Sequence, residues 1–197
     1  MTTLSAAGLD VLFREARTPD QWLERPVSDD VLRELYELVK LAPTSSNCSP
    51  GRFLFLRTPE AKARLQAAIN PTNVEKTMRA PVTAIVAYDV RYHEWMPMLF
   101  PKHAERMRDR YANQPGYAES TAFRNSSVQG GYLILAARAL GLDCAPVSGF
   151  NNAKVDAEFF REGEVKSNFI CNLGYGDRRS LGPRNARLAF DQACRLL

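Results

Sequence analysis

Apolar positions in residues 29–42, DDVLRELYELVKLA, recur three and four apart at Val31, Leu32, Leu35, Leu38, Val39 and Ala42. That spacing predicts an amphipathic helix. Ser28 is placed to cap it, and Asp29 and Asp30 suit its positive end. Pro43 pushes Ala42 out of helical geometry and ends the helix. The run RFLFLR (52–57) then reads as a buried strand. TPEAKARLQAAI (58–69) reads as a helix with Thr58 as cap and Pro59 in the first turn. NVEKTMR (73–79) is a short helical turn, and APVTAIVAYD (80–89) a central strand opened by a proline.

Residues 90–116 carry aromatics and methionines without a period and read as irregular. The longest helical pattern is AESTAFRNSSVQGGYLILAARAL (118–140), closed by Gly141. A short strand near CAPV leads into SGFN, residues 152–160 are helical, and SNFICNLGYGD (167–177) is a strand with a glycine-rich exit. The tail RLAFDQACRLL is amphipathic and too short to hold a helix alone. It needs a surface to pack on, its own domain or a partner subunit. Helices and strands mix without regular alternation, which predicts an α+β fold rather than a doubly wound sheet.

Composition narrows the class. The chain has 197 residues, 45% hydrophobic and 24% charged, so a single domain spanning 1–197 can bury a real core. No segment reaches the length of a bilayer span and no basic leader opens the chain, so a cytoplasmic location is expected. Cys48, Cys144, Cys171 and Cys194 are far apart and read as reduced thiols. The 26 basic residues exceed the 22 acidic ones by a small, scattered margin. That suits an anionic small ligand better than nucleic acid.

The usual catalytic signatures are missing from the sequence. His93 begins H-E-x-x-P, so the zinc-protease spacing fails at Pro97. There is no phosphate loop, no G-x-G-x-x-G and no G-x-S-x-G elbow. The side chains alone offer little nucleophilic or acid–base chemistry, and a bound cofactor would have to carry any reaction.

What remains is a set of polar residues in stretches that otherwise look structural. Arg17 and Thr18 precede the first predicted helix. Ser45, Ser46 and Asn47 sit in the loop APTSSNCSP (42–50). Asn73 and Lys76 share one helical face. PVSG (146–149) follows a buried strand, and Arg184 and Arg187 lie near the C-terminus. Each, taken singly, has an ordinary use in a turn or on a solvated surface.

In this order they resemble the FMN-dependent nitroreductase family, and most closely its malonic semialdehyde reductase subfamily. The resemblance covers nearly the whole chain. It is carried by ART…W (16–22), APTSSNCSP, N-x-x-K-x-x-x-APVTAIVA (73–87), TAFRNSS (121–127), ALGLD-x-x-PVSGFN (139–151), KSN-x-x-x-NLGYGD (166–177) and RLAF (187–190). It implies a nitroreductase-like fold, a central mixed or antiparallel sheet flanked by helices, in an interlocked homodimer with FMN at the interface. It also implies ping-pong hydride transfer from NADH or NADPH. By the same resemblance Arg17 and Thr18 meet the flavin phosphate, with Arg187 and Arg184 as further basic contacts. Ser45 and Asn47 reach the flavin from the other subunit. Asn73 and Lys76 contact its ring, Lys76 near N1 and O2. Pro146, Val147, Ser148 and Gly149 line it, with the Gly149 N–H at N5.

Three departures stand out. Asp20 replaces a family arginine, so phosphate binding would lean on Arg14, Arg184 or Arg187. The loop reads N-C-S-P-G where N-x-Q-P-W is common. Ser148 stands where many relatives are acidic. The last two match the subfamily and point to a small polar carbonyl, with Arg124 expected to take the substrate carboxylate. The alternatives are a general nitroaromatic or quinone reductase, with a lid from residues 92–100, and a flavin-binding protein without turnover.

Overall fold

The computed structural model describes residues 2–197. It opens with a short helix, α1 (Ala6–Leu9), continued by a wider π turn over Asp10–Arg14 in which the Glu15 N–H reaches the Asp10 carbonyl. Helical structure therefore begins ahead of Arg17, earlier than the hydrophobic period predicts. The stretch is too short and too exposed to show one. The predicted first helix is α2 (Asp29–Val39), with the Ser28 hydroxyl accepting from the Val31 N–H at 3.4 Å. Strand β1 (Gly51–Leu56), helices α3 (Pro59–Gln66) and α4 (Pro71–Arg79), and strand β2 (Val82–Asp89) follow as expected. Thr58 caps α3 at 3.2 Å.

Residues 90–116 are less irregular than the sequence implies. They hold α5 (Met96–Leu99) and α6 (Ala104–Ala112). Tyr92, Met96, Met107 and Tyr111 pack there with Cys48, Ala118 and Ala122 as a separate small core. Its apolar spacing is spread over several short turns, which hides the period. Then come α7 (Pro115–Ala139), β3 (Asp143–Val147), α8 (Asn152–Phe159), β4 (Val165–Gly174) and a single tail turn, α9 (Phe190–Ala193). Gly141, at φ 79°, ends α7 in the left-handed conformation that glycine adopts without penalty.

The four strands form one sheet in the order β1-β2-β4-β3, and all three pairings are antiparallel. Helices cover both faces. Val82, Ala84 and Val86 of β2 pack with Leu32, Leu35 and Val39 of α2 and Leu133, Ala136 and Ala137 of α7. Ile85, pointing the other way, joins Leu65 of α3, Val155 of α8 and Val74 of α4. This period-two division of a fully buried strand explains why VTAIVAYD shows no polar face. A register shift between Val86 and Ala87 marks a bulge against β4. The Asn168 amide at the bulge donates to Ser126 and Ser127 of α7, both at 2.9 Å.

Leu38, expected on the buried stripe of α2, is 37% exposed, because the stripe is narrower than the sequence pattern. The tail does not pack on its own domain. Leu188 is 71% exposed and Phe190 58%. No helix among the described residues is long and apolar enough to cross a membrane.

Candidate active site

The turn after β3 is the centre of the site. The Phe150 N–H bonds the Ser148 carbonyl at 3.0 Å, closing a three-residue turn with Gly149 at its apex. The Gly149 carbonyl accepts from the Asn70 N–H at 3.0 Å and from the Asn73 amide at 3.4 Å. The Gly149 N–H donates to no group among the described residues. A Cβ on Gly149 would collide with the Asn73 amide and lie 3.1 Å from that of Asn70. The apex thus offers a free backbone donor on a surface kept flat by the absence of a side chain. Pro146 and Ser148 are exposed beside it, and Val147 is buried.

Lys76 lies one turn beyond Asn73 on α4. Its carbonyl accepts from the Trp22 indole at 3.0 Å, which fixes this part of the helix against the N-terminal segment. Its ammonium has one carboxylate in range, Asp20, at 3.8 Å and 75% exposed. A contact that long to a solvated carboxylate leaves most of the lysine charge uncompensated. Asp20, the departure at the expected arginine, therefore faces Lys76.

The basic residues near the termini stitch the two ends together. Arg17 donates to the Gly182 carbonyl at 2.5 Å. Arg184 donates to the carbonyls of Arg14 and Ala16 at 2.6 and 2.8 Å. Arg187 is exposed and reaches only the neighbouring Asn185 and Ala186 carbonyls. Thr18 is exposed beside Arg17. Arg17 and Arg184 thus meet where the N-terminal segment touches the tail.

The loop APTSSNCSP is built differently. Ser45–Asn47 make one 3-10 turn. Ser46, Asn47 and Ser49 all have positive φ, at 51°, 51° and 38°. The Ser45 N–H bonds the Asn125 amide oxygen at 2.8 Å, and the Asn47 amide donates to the Leu99 carbonyl at 2.8 Å. Cys48 is buried in the small aromatic core, and burial pushes its thiol up to about 11, so it is protonated at neutral pH. The loop therefore offers hydroxyls and amides rather than a thiolate.

The structure joins Asn73, Lys76 and Gly149 into one group, anchored through α4. It ties Ser45 to α7 and the Asn47 amide to α5 instead. The sheet lies between α4 and α7, so within one protomer the two groups are fastened to opposite layers. Arg124 is exposed on the outer face of α7 and adjoins Asn125, whose amide ties the loop. Trp22, Asn70, Asn125 and Gln129 carry weight that the residue-by-residue sequence reading did not give them. For the last two a signal existed: amides four residues apart on one stripe of the longest predicted helix.

Fold and site together define a sheet-centred α+β protein whose exposed cations, amides and free backbone donor suit a flat anionic ligand. Residues 14–175 match the Nitroreductase family, and the chain belongs to that family. It is 54% identical, over all of its length and 99% of the relative, to a candidate NADH dehydrogenase/NAD(P)H nitroreductase of Rhodopseudomonas palustris. Its fold is similar to that of the nitroreductase-like protein YdfN of Bacillus subtilis, with TM-score 0.87 and 20% identity over 98% of this chain and all of that one. It is also similar to a nitroreductase-like protein of Exiguobacterium sibiricum solved in complex with FMN, with TM-score 0.81 and 20% identity over the whole of both chains.

Proposed function

We propose that the protein is an FMN-dependent NAD(P)H oxidoreductase that reduces a small aldehyde acid, malonic semialdehyde, to 3-hydroxypropanoate, working as a homodimer through residues 1–197. The observation that carries the flavin reading is the Gly149 turn: a free N–H at a Cβ-less apex, packed on Asn73, with Lys76 one turn away.

FMN supplies hydride acceptance from NAD(P)H and hydride delivery to the acceptor. The chain's own residues do the rest. With FMN bound, the Gly149 N–H would be the donor offered to the ring. The Lys76 ammonium stabilises negative charge on the reduced ring, which raises its reduction potential. Asn73 holds the turn and meets the ring. Arg17, Thr18, Arg184 and Arg187 serve the phosphate, where guanidinium forks are the strongest donors. Ser45 and Asn47 belong to the flavin of the opposite protomer, as expected when one chain fastens the two groups to opposite layers. Arg124 holds the substrate carboxylate.

The dimer reading is supported by the outward face of α7. Tyr117, Phe123, Val128 and Tyr132 are all exposed there around Arg124, and the tail adds exposed Leu188 and Phe190. The small-acceptor reading is supported by the residues Cys48–Gly51, which carry no aromatic side chain. A second reading, a quinone or nitroaromatic reductase, draws on Trp95 and Met98, which are 51% and 69% exposed at the mouth of a groove with Phe53 and Tyr36.

The visible spectrum of the purified protein tests the cofactor. A flavin spectrum that bleaches on adding NADH or NADPH is expected. A colourless protein that takes up no FMN sinks the reading. Steady-state kcat/KM for malonic semialdehyde against a quinone then decides the acceptor, and a higher value for the quinone transfers the assignment to the second reading.

A further inference from the structure

We infer that Asn125 and Gln129 are positioning residues, whose buried amides hold residues 44–51 in the left-handed backbone that presents Ser45 and Asn47 to the flavin. The inference rests on the flavin reading of the site.

The segment is unusual as a chain. Three of its non-glycine residues, Ser46, Asn47 and Ser49, have φ between 38° and 51°. L-residues enter that region against a steric cost at Cβ, and only asparagine among these three is favoured there. Such a backbone persists when its surroundings over-determine it. Here the ties come at both ends, from one helix. The Asn125 oxygen accepts the Ser45 N–H at 2.8 Å, and the Gln129 oxygen accepts the Gly51 N–H at 2.8 Å. The two amides stand four residues apart on α7, so they present to the same side, about one helical turn from each other.

Both are buried, at 7% and 3% exposure. The orientation of Asn125 is fixed as well, because its NH2 donates to the Thr121 carbonyl at 2.8 Å. An amide with its nitrogen committed must turn its oxygen to Ser45. Buried side-chain amides are costly unless paired. Both amide oxygens are spent on this one loop. Within the loop the Ser49 N–H bonds the Thr44 hydroxyl at 3.1 Å, and the Asn47 amide ties the curve to the Leu99 carbonyl of α5. The loop is thus a rigid platform carried by α7, the helix that also bears Arg124.

The test compares wild type with Asn125→Leu, which removes the acceptor at similar volume, and Asn125→Asp, which keeps it. Three quantities are read: FMN dissociation constant by fluorescence titration, hydrogen exchange of the peptide spanning 44–51 without flavin, and kcat with KM under saturating FMN. Asn125→Leu is expected to weaken FMN by about tenfold and speed exchange in that peptide by a similar factor, while exchange in the rest of α7 stays unchanged. Asn125→Asp keeps the acceptor for Ser45 but loses the donor to the Thr121 carbonyl, so it is expected to weaken FMN less than Asn125→Leu does. Gln129→Leu, at the far end of the loop, gives the same pattern and stands in if Asn125→Leu does not fold. Wild-type FMN affinity in both leucine variants overturns the inference while leaving the flavin reading intact. A wild-type protein that binds no FMN overturns that reading, and the inference with it.

Discussion

At the scale of single residues, Gly149 is the position where the smallest change has the clearest outcome. A methyl group there would collide with the Asn73 amide, so Gly149→Ala must displace the turn or the asparagine. FMN affinity is expected to fall by about tenfold or more, equivalent to about 1.4 kcal/mol, as read by fluorescence titration. A variant that binds FMN like wild type would remove Gly149 from the site. Asp20 gives the opposite sign. Its carboxylate is 3.8 Å from the Lys76 ammonium and solvated. Asp20→Asn frees the lysine charge, and a modest tightening of FMN, about two- to threefold and weaker at high salt, is expected. No change at low ionic strength would mean that the pair has no bearing on the site.

At the scale of elements, α4 carries Asn73 and Lys76, and its last turn is held by a buried lysine. The Lys62 ammonium donates to the Met78 carbonyl at 2.8 Å and to the Ala80 carbonyl. Lys62 is 5% exposed, and burial pushes it down from the ordinary 10.5 to about 8. Lys62→Met strips both carbonyls of a donor, which costs about 2 kcal/mol and lowers the melting temperature by roughly 4–8 °C. The pH dependence has a definite sign. Between about 8 and 10.5 the unfolded chain holds the proton and the folded chain has released it, so this group adds stability as pH rises through that window. The melting difference between wild type and Lys62→Met should widen from pH 8 to pH 10. The buried Cys48 thiol acts in the opposite direction there, but it is present in both proteins and cancels. A difference that stays flat would mean that Lys62 is not titrating in the folded protein.

The elements also show what sequence alone could and could not reveal. The strands, α2 and α7 were legible because each buries a continuous stripe or a whole run, and α3 through its Thr58 cap and Pro59. Helices α5 and α6 were not, because Tyr92, Met96, Met107 and Tyr111 feed one small core from separate short turns. Asn73, Lys76 and Gly149 stood out in the sequence, and the structure joins the Asn73 amide to the Gly149 carbonyl with Lys76 one turn further along α4. The left-handed backbone of APTSSNCSP was not legible, because Ser46 and Ser49 are poor predictors of positive φ and the ties that impose it come from residues some eighty positions away in the chain.

At the scale of the whole molecule, the outer face of α7 and the exposed tail set the expectation for assembly. Sedimentation velocity should show a species of two 22.1 kDa chains. Val128→Arg places a charge on the exposed face of α7. It is expected to shift the protein toward single chains and to lose FMN in parallel, since each flavin would need both. A variant that dissociates yet keeps its flavin would contradict the shared site.

The fastening of Gly149 to one layer and of the Ser45–Asn47 loop to the other has a consequence for mixtures of damaged proteins. Consider one variant crippled only at Gly149 and another crippled only in the loop, each inactive as a pure protein. If the site is shared between two chains as proposed, every mixed pair would assemble one centre from two faulty halves and one from two sound halves. Activity should return on mixing, up to half that of wild type in the mixed pairs. Two broken copies would complement each other, and a single faulty allele would be partly masked by a different faulty allele.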